Sequence, residues 1–104
     1  MHRMLCEQYA VGGVTADGEF LGLVERYDPA ADTWDTMASM LTPRSRLHCV
    51  AAETFLYAVG GIDAGGSLNV VERYDSQTDT WHAVAPMIAR RAFMACAIIN
   101  VLQL

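Results

Sequence analysis

The sequence predicts an all-β fold built from about two copies of one four-stranded antiparallel unit. Three observations carry this. A block of residues returns at a spacing of 47, each period divides into short apolar runs bounded by turn residues, and no stretch longer than ten residues holds a convincing 3.6-residue apolar period.

The repetition is explicit. Tyr9-Ala10-Val11-Gly12-Gly13 returns as Tyr57-Ala58-Val59-Gly60-Gly61, and Val24-Glu25-Arg26-Tyr27-Asp28 as Val71-Glu72-Arg73-Tyr74-Asp75. Asp32-Thr33-Trp34 returns as Asp79-Thr80-Trp81, Met40 as Met87, Arg44 as Arg91 and Cys49 as Cys96. Laid over 71–96, residues 24–49 match at twelve of 26 positions, far beyond what unrelated segments share. One extra residue between the di-glycine and the Val-Glu-Arg-Tyr-Asp block of the first copy marks a loop there.

Within the second period, His48 to Ala52 and Phe55 to Val59 read as strands joined by the tight turn Glu53-Thr54. Gly60-Gly61 ends the second run, and a glycine-rich loop follows to Gly66. Leu68 to Tyr74 reads as a third strand. Asp75 to Asp79 is a turn of side chains that cap their own backbone, and Thr80 to Ala85 is a fourth strand closed by Pro86. Four short antiparallel strands in a period of this length make one propeller blade.

The ordered set Tyr-Ala-Val-Gly-Gly, Val-Glu-Arg-Tyr-Asp, Asp-Thr-Trp, Ala-x-Met and Arg resembles the kelch repeat, and its wording is most similar to the BTB–kelch (kelch-like) proteins. The resemblance covers roughly residues 9–102 and implies a partial kelch β-propeller of about two four-stranded blades, one of them complete. The units read as an incomplete first blade at 1–42, a complete second blade at 43–89, and the first strand of a third within 90–104.

Most repeated residues read as architecture. Gly12, Gly13, Gly60 and Gly61 supply positive φ or close backbone approach at strand ends. Trp34 and Trp81 are expected between blades. Tyr27 and Tyr74 share strand parity with Glu25 and Glu72, and a glutamate on that packed face needs a partner, for which Arg44 and Arg91 are the candidates. Recognition is expected in the residues that do not repeat. The resemblance implies a client-binding face at Val14 and Ile62, at Phe20 and Ser67, and at the pairs Ser45 with Arg46 and Ala92 with Phe93. Arg46 is the leading candidate, since an arginine there holds an acidic group of the partner in this family, and Ser45 adds a hydrogen bond.

Composition narrows the function. Hydrophobic residues make up 53% and charged residues 18%, which excludes disorder. A net charge of −5 without a basic patch argues against nucleic acid, and all seven basic residues are arginine. No apolar run is long enough to span a bilayer as a helix, and the N-terminus lacks a signal-peptide core. Cys6, Cys49 and Cys96 form no disulfide framework; they read as small core residues in a reducing, cytoplasmic or nuclear setting, a reactive thiol being the alternative. His2, His48 and His82 lack ligand spacing, so neither metal nor cofactor is expected. Kelch-type oxidases and hydrolases use clusters on several blades; with no such constellation here, the chain is expected not to be an enzyme.

The resemblance therefore implies a protein–protein interaction module, the substrate-recognition part of a ubiquitin-ligase adaptor without the BTB and BACK parts that hold the cullin. The alternatives are an actin- or cytoskeleton-binding kelch protein, or a truncated product without independent function. By repeat register the strands count three, four and one, and Val101 to Leu104 depart from the Tyr-Ala-Val-Gly-Gly pattern, as in a truncated, spliced or excised product. Exposed blade faces imply self-association. Arg91 to Val101 reads as the strand type missing from the first blade, so strand exchange into a closed trimer is the specific hypothesis, with aggregation the more expected outcome.

Overall fold

A computed structural model of the chain describes residues 2–88. The expected strand 91–101, and with it Arg91, Ala92, Phe93 and Cys96, lies outside the described residues.

The first four strands, β1 (His2–Cys6), β2 (Tyr9–Val14), β3 (Val24–Asp28) and β4 (Thr33–Met37), form one antiparallel sheet in chain order. Next come β5 (His48–Ala52), β6 (Phe55–Val59), the short ribbon β7 (Ile62–Asp63) and β8 (Gly66–Ser67), then β9 (Val71–Asp75) and β10 (Thr80–Ala83). The second sheet runs β5-β6-β9-β10, and no helix occurs among the described residues. These are two blades of a propeller. The turns behave as their residues dictate: Asp28 accepts from the Ala30 N–H at 3.0 Å and Asp75 from the Gln77 N–H at 2.9 Å, the local side-chain bonds that end strands.

One expectation is corrected. The first blade has all four strands, because β1 pairs Met4 with Val11, Leu5 with Ala10 and Cys6 with Tyr9. Its hairpin turns at Glu7-Gln8, immediately before Tyr9, whereas the equivalent turn Glu53-Thr54 is followed by Phe55 and Leu56 before Tyr57. A turn two residues nearer lets a five-residue strand suffice. The edge that an exchanged strand would have entered is therefore occupied by β1, which removes the basis for strand exchange.

The two blades share one core. Cys6, Val11, Val24 and Met40 from the first pack with Leu47, Leu56, Ala58, Tyr74 and Trp81 from the second. Close backbone approach requires glycine at two places: a Cβ on Gly12 would stand 2.5 Å from the Arg44 carbonyl oxygen across the seam, and one on Gly61 2.5 Å from that of Ser45 within the second blade.

Arg44 bolts the seam. Its backbone N–H donates to the Leu21 carbonyl at 3.1 Å and its carbonyl accepts from the Gly13 N–H at 2.9 Å, both in the first blade. Its guanidinium, fully buried, enters the second blade and donates to the carbonyls of Gly60, Val70 and Ala58 and to Glu72 at 3.0 Å. Glu72 in turn accepts from the Leu41 and Thr42 N–H groups at 2.6 and 3.1 Å. The pairing expected for Glu72 is present. Glu25, however, is paired with Arg3, which no repeat register indicated; Arg3 also donates to the carbonyls of Gly12, Ala10 and Leu23. These are the repeat equivalents of Gly60, Ala58 and Val70, so one socket is filled twice, from different backbone positions.

An acid-sensitive clasp lies beside it. Asp79 accepts from the Ala38 N–H at 2.9 Å and from the Tyr74 hydroxyl at 2.7 Å. The Ala38 N–H first, then the Tyr74 hydroxyl, hold its carboxyl below the ordinary 3.8. A carboxylate depressed in the folded state stabilises the fold above its unfolded pKa and loses that contribution as pH falls through the folded value. The parent's melting temperature should therefore drop more steeply below about pH 4 than that of Asp79→Asn. Parallel acid branches would show that the clasp does not contribute.

Candidate functional site

Strands β2 and β6 end, and β1 and β5 begin, at the same end of the two blades, and this end gathers the described client-binding candidates. In the first blade Val14 bridges Phe20, closing a turn in which the Thr15 N–H donates to the Glu19 carbonyl at 2.9 Å. In the second, the repeat equivalent is the ribbon pair Ile62 with Ser67, and Ser45 bridges Ile62 through two backbone hydrogen bonds of 2.8 and 3.0 Å. Ser45, Ile62 and Ser67 thus stand in a row.

Arg46 follows Ser45 at φ 54, a left-handed backbone conformation that side chains other than glycine and asparagine seldom adopt. It is exposed and makes no side-chain hydrogen bond or ion pair with a described residue, in contrast to the fully buried Arg44. Ser67 is exposed as well, while Val14, Phe20 and Ile62 are half-buried. Ser45 departs from the expectation. It is 1% exposed and its hydroxyl has no partner among the described residues, so it contributes backbone that positions Arg46 rather than a hydrogen bond to a client.

The opposite end has other chemistry. A cavity of about 410 Å³ lies between the two hairpin turns, lined among others by Glu7, Tyr9, Glu53, Thr54 and Ser76. Inside the seam, Cys6 and Cys49 lie beside each other; the neighbouring Cys6 thiol and burial push the Cys49 thiol up, so it stays protonated at neutral pH. Topology brings together two cysteines whose sequence spacing suggested no pairing. Among the described residues no group of three or more His, Cys, Asp or Glu could hold a metal ion, and no helix is long and apolar enough to cross a membrane.

Repeated strands as a constant frame, with non-repeating side chains on the loops of one end, define a protein-interaction repeat. Residues 9–41 and 43–88 match the Kelch motif, and the chain belongs to that family. It is 35% identical over 54 residues to alpha-scruin of Limulus polyphemus, covering 52% of this chain and 6% of that protein. It is 38% identical over 56 residues to kelch-like protein 7 of Rattus norvegicus, covering 54% and 10%. Against the influenza virus NS1A-binding protein homolog of Mus musculus the identity is 44% over 52 residues, covering 50% and 8%. The chain thus spans a tenth or less of these relatives.

Proposed function

We propose that the chain recognises a client protein through the loop end that carries Arg46, as the substrate-recognition part of a kelch-like ubiquitin-ligase adaptor. One observation carries this reading: Arg46 is an exposed guanidinium, unpaired among the described residues, on a left-handed backbone beside the Ser45–Ile62–Ser67 row. Such a group is free to take a carboxylate bidentately, and the half-buried Ile62, Val14 and Phe20 offer apolar surface near it. The kelch-like relatives support the kelch-like part of this reading.

Arg46→Ala tests it. The change touches no internal bond, so the melting curve should stay within about 0.5 kcal/mol of the parent. Binding to an array of acidic peptides should fall about tenfold, the weight of about 1.4 kcal/mol for one charge-assisted contact. Unchanged binding, or a stability loss like that of Arg44→Ala, would remove Arg46 from the site.

A further inference from the structure

We infer that the open face of the first blade docks the Ala85–Ile88 segment of a second copy of this chain. The seam within one chain supplies the template. On the second blade, Glu72, Asp79 and Trp81 read one backbone segment, Ala38 to Thr42. The Trp81 indole donates to the Ala38 carbonyl at 2.8 Å, Asp79 accepts from the Ala38 N–H, and Glu72 accepts from the Leu41 and Thr42 N–H groups. Met40, in the middle of the segment, is 4% exposed in the shared core.

The same reading groups stand on the first blade as Glu25, Asp32 and Trp34. Asp32 is held by the Tyr27 hydroxyl at 2.6 Å, as Asp79 is by Tyr74, and both aspartates have left-handed backbone, at φ 54 and 52. Tyr27 pairs with Trp34 across β3 and β4 in the register that Tyr74 keeps with Trp81 across β9 and β10. Yet no described residue covers this face. Trp34 is 51% exposed against 7% for Trp81, Leu5 is 70% exposed, and a cavity of about 500 Å³ is lined by Arg3, Leu5, Ala10, Glu25 and Trp34.

The chain also carries the segment that fits. Ala85-Pro86-Met87-Ile88 is the repeat of Ala38-Ser39-Met40-Leu41. It is held to its blade in the same way: the Met87 N–H donates to the Asn69 carbonyl at 2.9 Å, as the Met40 N–H does to the Gly22 carbonyl at 2.8 Å. The Asn69 side chain adds a bond to the Met87 carbonyl. Ser39 gives way to Pro86, but the Ser39 N–H takes no part in the clasp, so the lost donor does not matter. Ala85 and Pro86 are exposed and Ile88 fully so. One copy therefore holds both halves of one contact, a socket and a preorganised segment. Such a contact is head-to-tail and repeats until it closes. It exchanges no strand and is independent of the client reading.

Light scattering on the full chain over a concentration series tests this. The mass should rise above that of one chain, and Trp34→Asp and Ile88→Asp should each hold the chain as a monomer. The first breaks the socket; the second sets a carboxylate against Glu25, since the equivalent Leu41 is 61% exposed in the seam and docks there through its N–H. Because each variant keeps the half that the other lacks, their equimolar mixture should form a one-to-one dimer and no larger species. Ile88 is fully exposed, so its variant keeps the fold even where Trp34→Asp does not. A monomeric parent, variants that assemble like the parent, or a folded pair of variants that stays monomeric when mixed would each overturn the inference.

Discussion

Arg44→Ala should destabilise the chain by about 3–5 kcal/mol, seen as a large fall in the midpoint of urea unfolding. The cost arises less from the bonds lost than from what stays behind. Glu72 is 1% exposed and would be left with only the Leu41 and Thr42 N–H groups as partners, while the carbonyls of Gly60 and Ala58 would lose the donors that satisfy them. Burial lowers the Arg44 pKa and the Glu72 carboxylate opposes that fall, so each charge is tolerable only in the presence of the other. The double variant Arg44→Met with Glu72→Gln should therefore recover part of the loss, since it removes both charges together. Arg3→Ala, in the same socket of the first blade, should cost less: Arg3 and Glu25 are 13% and 28% exposed, and water screens what is left. Equal costs for Arg3 and Arg44 would refute the role given to burial.

The second-blade strands, the glycines at the seam and the partner of Glu72 were legible in the sequence because each rests on side chains that return at a fixed period. The two hairpin strands His48–Ala52 and Phe55–Val59 fall where their apolar runs and the Glu53-Thr54 turn put them. Two others moved by a few residues: the expected third strand began at Leu68 and the observed β9 at Val71, and the fourth stops at Ala83. What failed was what pairing decides rather than pattern. His2 to Cys6 shares little with β5 and becomes a strand because β2 offers it an edge. Arg3 enters a socket from a backbone position that the repeat does not mark, and Ser45 is buried by the bridge to Ile62. Of the candidate site, the end of the blades was legible through the loops, whereas the left-handed backbone of Arg46 has no local signature such as glycine or asparagine. The proposed client contacts lie in side chains that do not repeat, and periodicity carries no information about those.

The other large effect is expected at Trp81, and the repeat supplies its own control. Trp81 and Trp34 hold the same position in the same motif, but Trp81 is 7% exposed and Trp34 51%. Trp81 packs on Tyr74 at 5.1 Å between ring centroids, and its N–H reaches across the seam to the Ala38 carbonyl. Trp34 packs on Tyr27 at 5.3 Å and has no such bond to a described residue. Trp81→Ala should therefore open a cavity in the shared core and cost about 3–5 kcal/mol. A domain of this size has only about 5–15 kcal/mol in all, so the variant should melt broadly or not at all. Trp34→Ala, at a concentration where the chain is monomeric, should cost about 1 kcal/mol or less, because its outer face already meets water. Trp81→Phe separates the two contributions. It keeps most of the ring and loses the N–H, and the Ala38 carbonyl then lacks a donor at a part-buried position; a loss of about 1–2 kcal/mol belongs to that bond. Thermal unfolding followed by circular dichroism ranks the three. If Trp34→Ala and Trp81→Ala cost the same, the blade seam is not what stabilises this pair of repeats, and the covering of the second blade by the first would contribute nothing measurable.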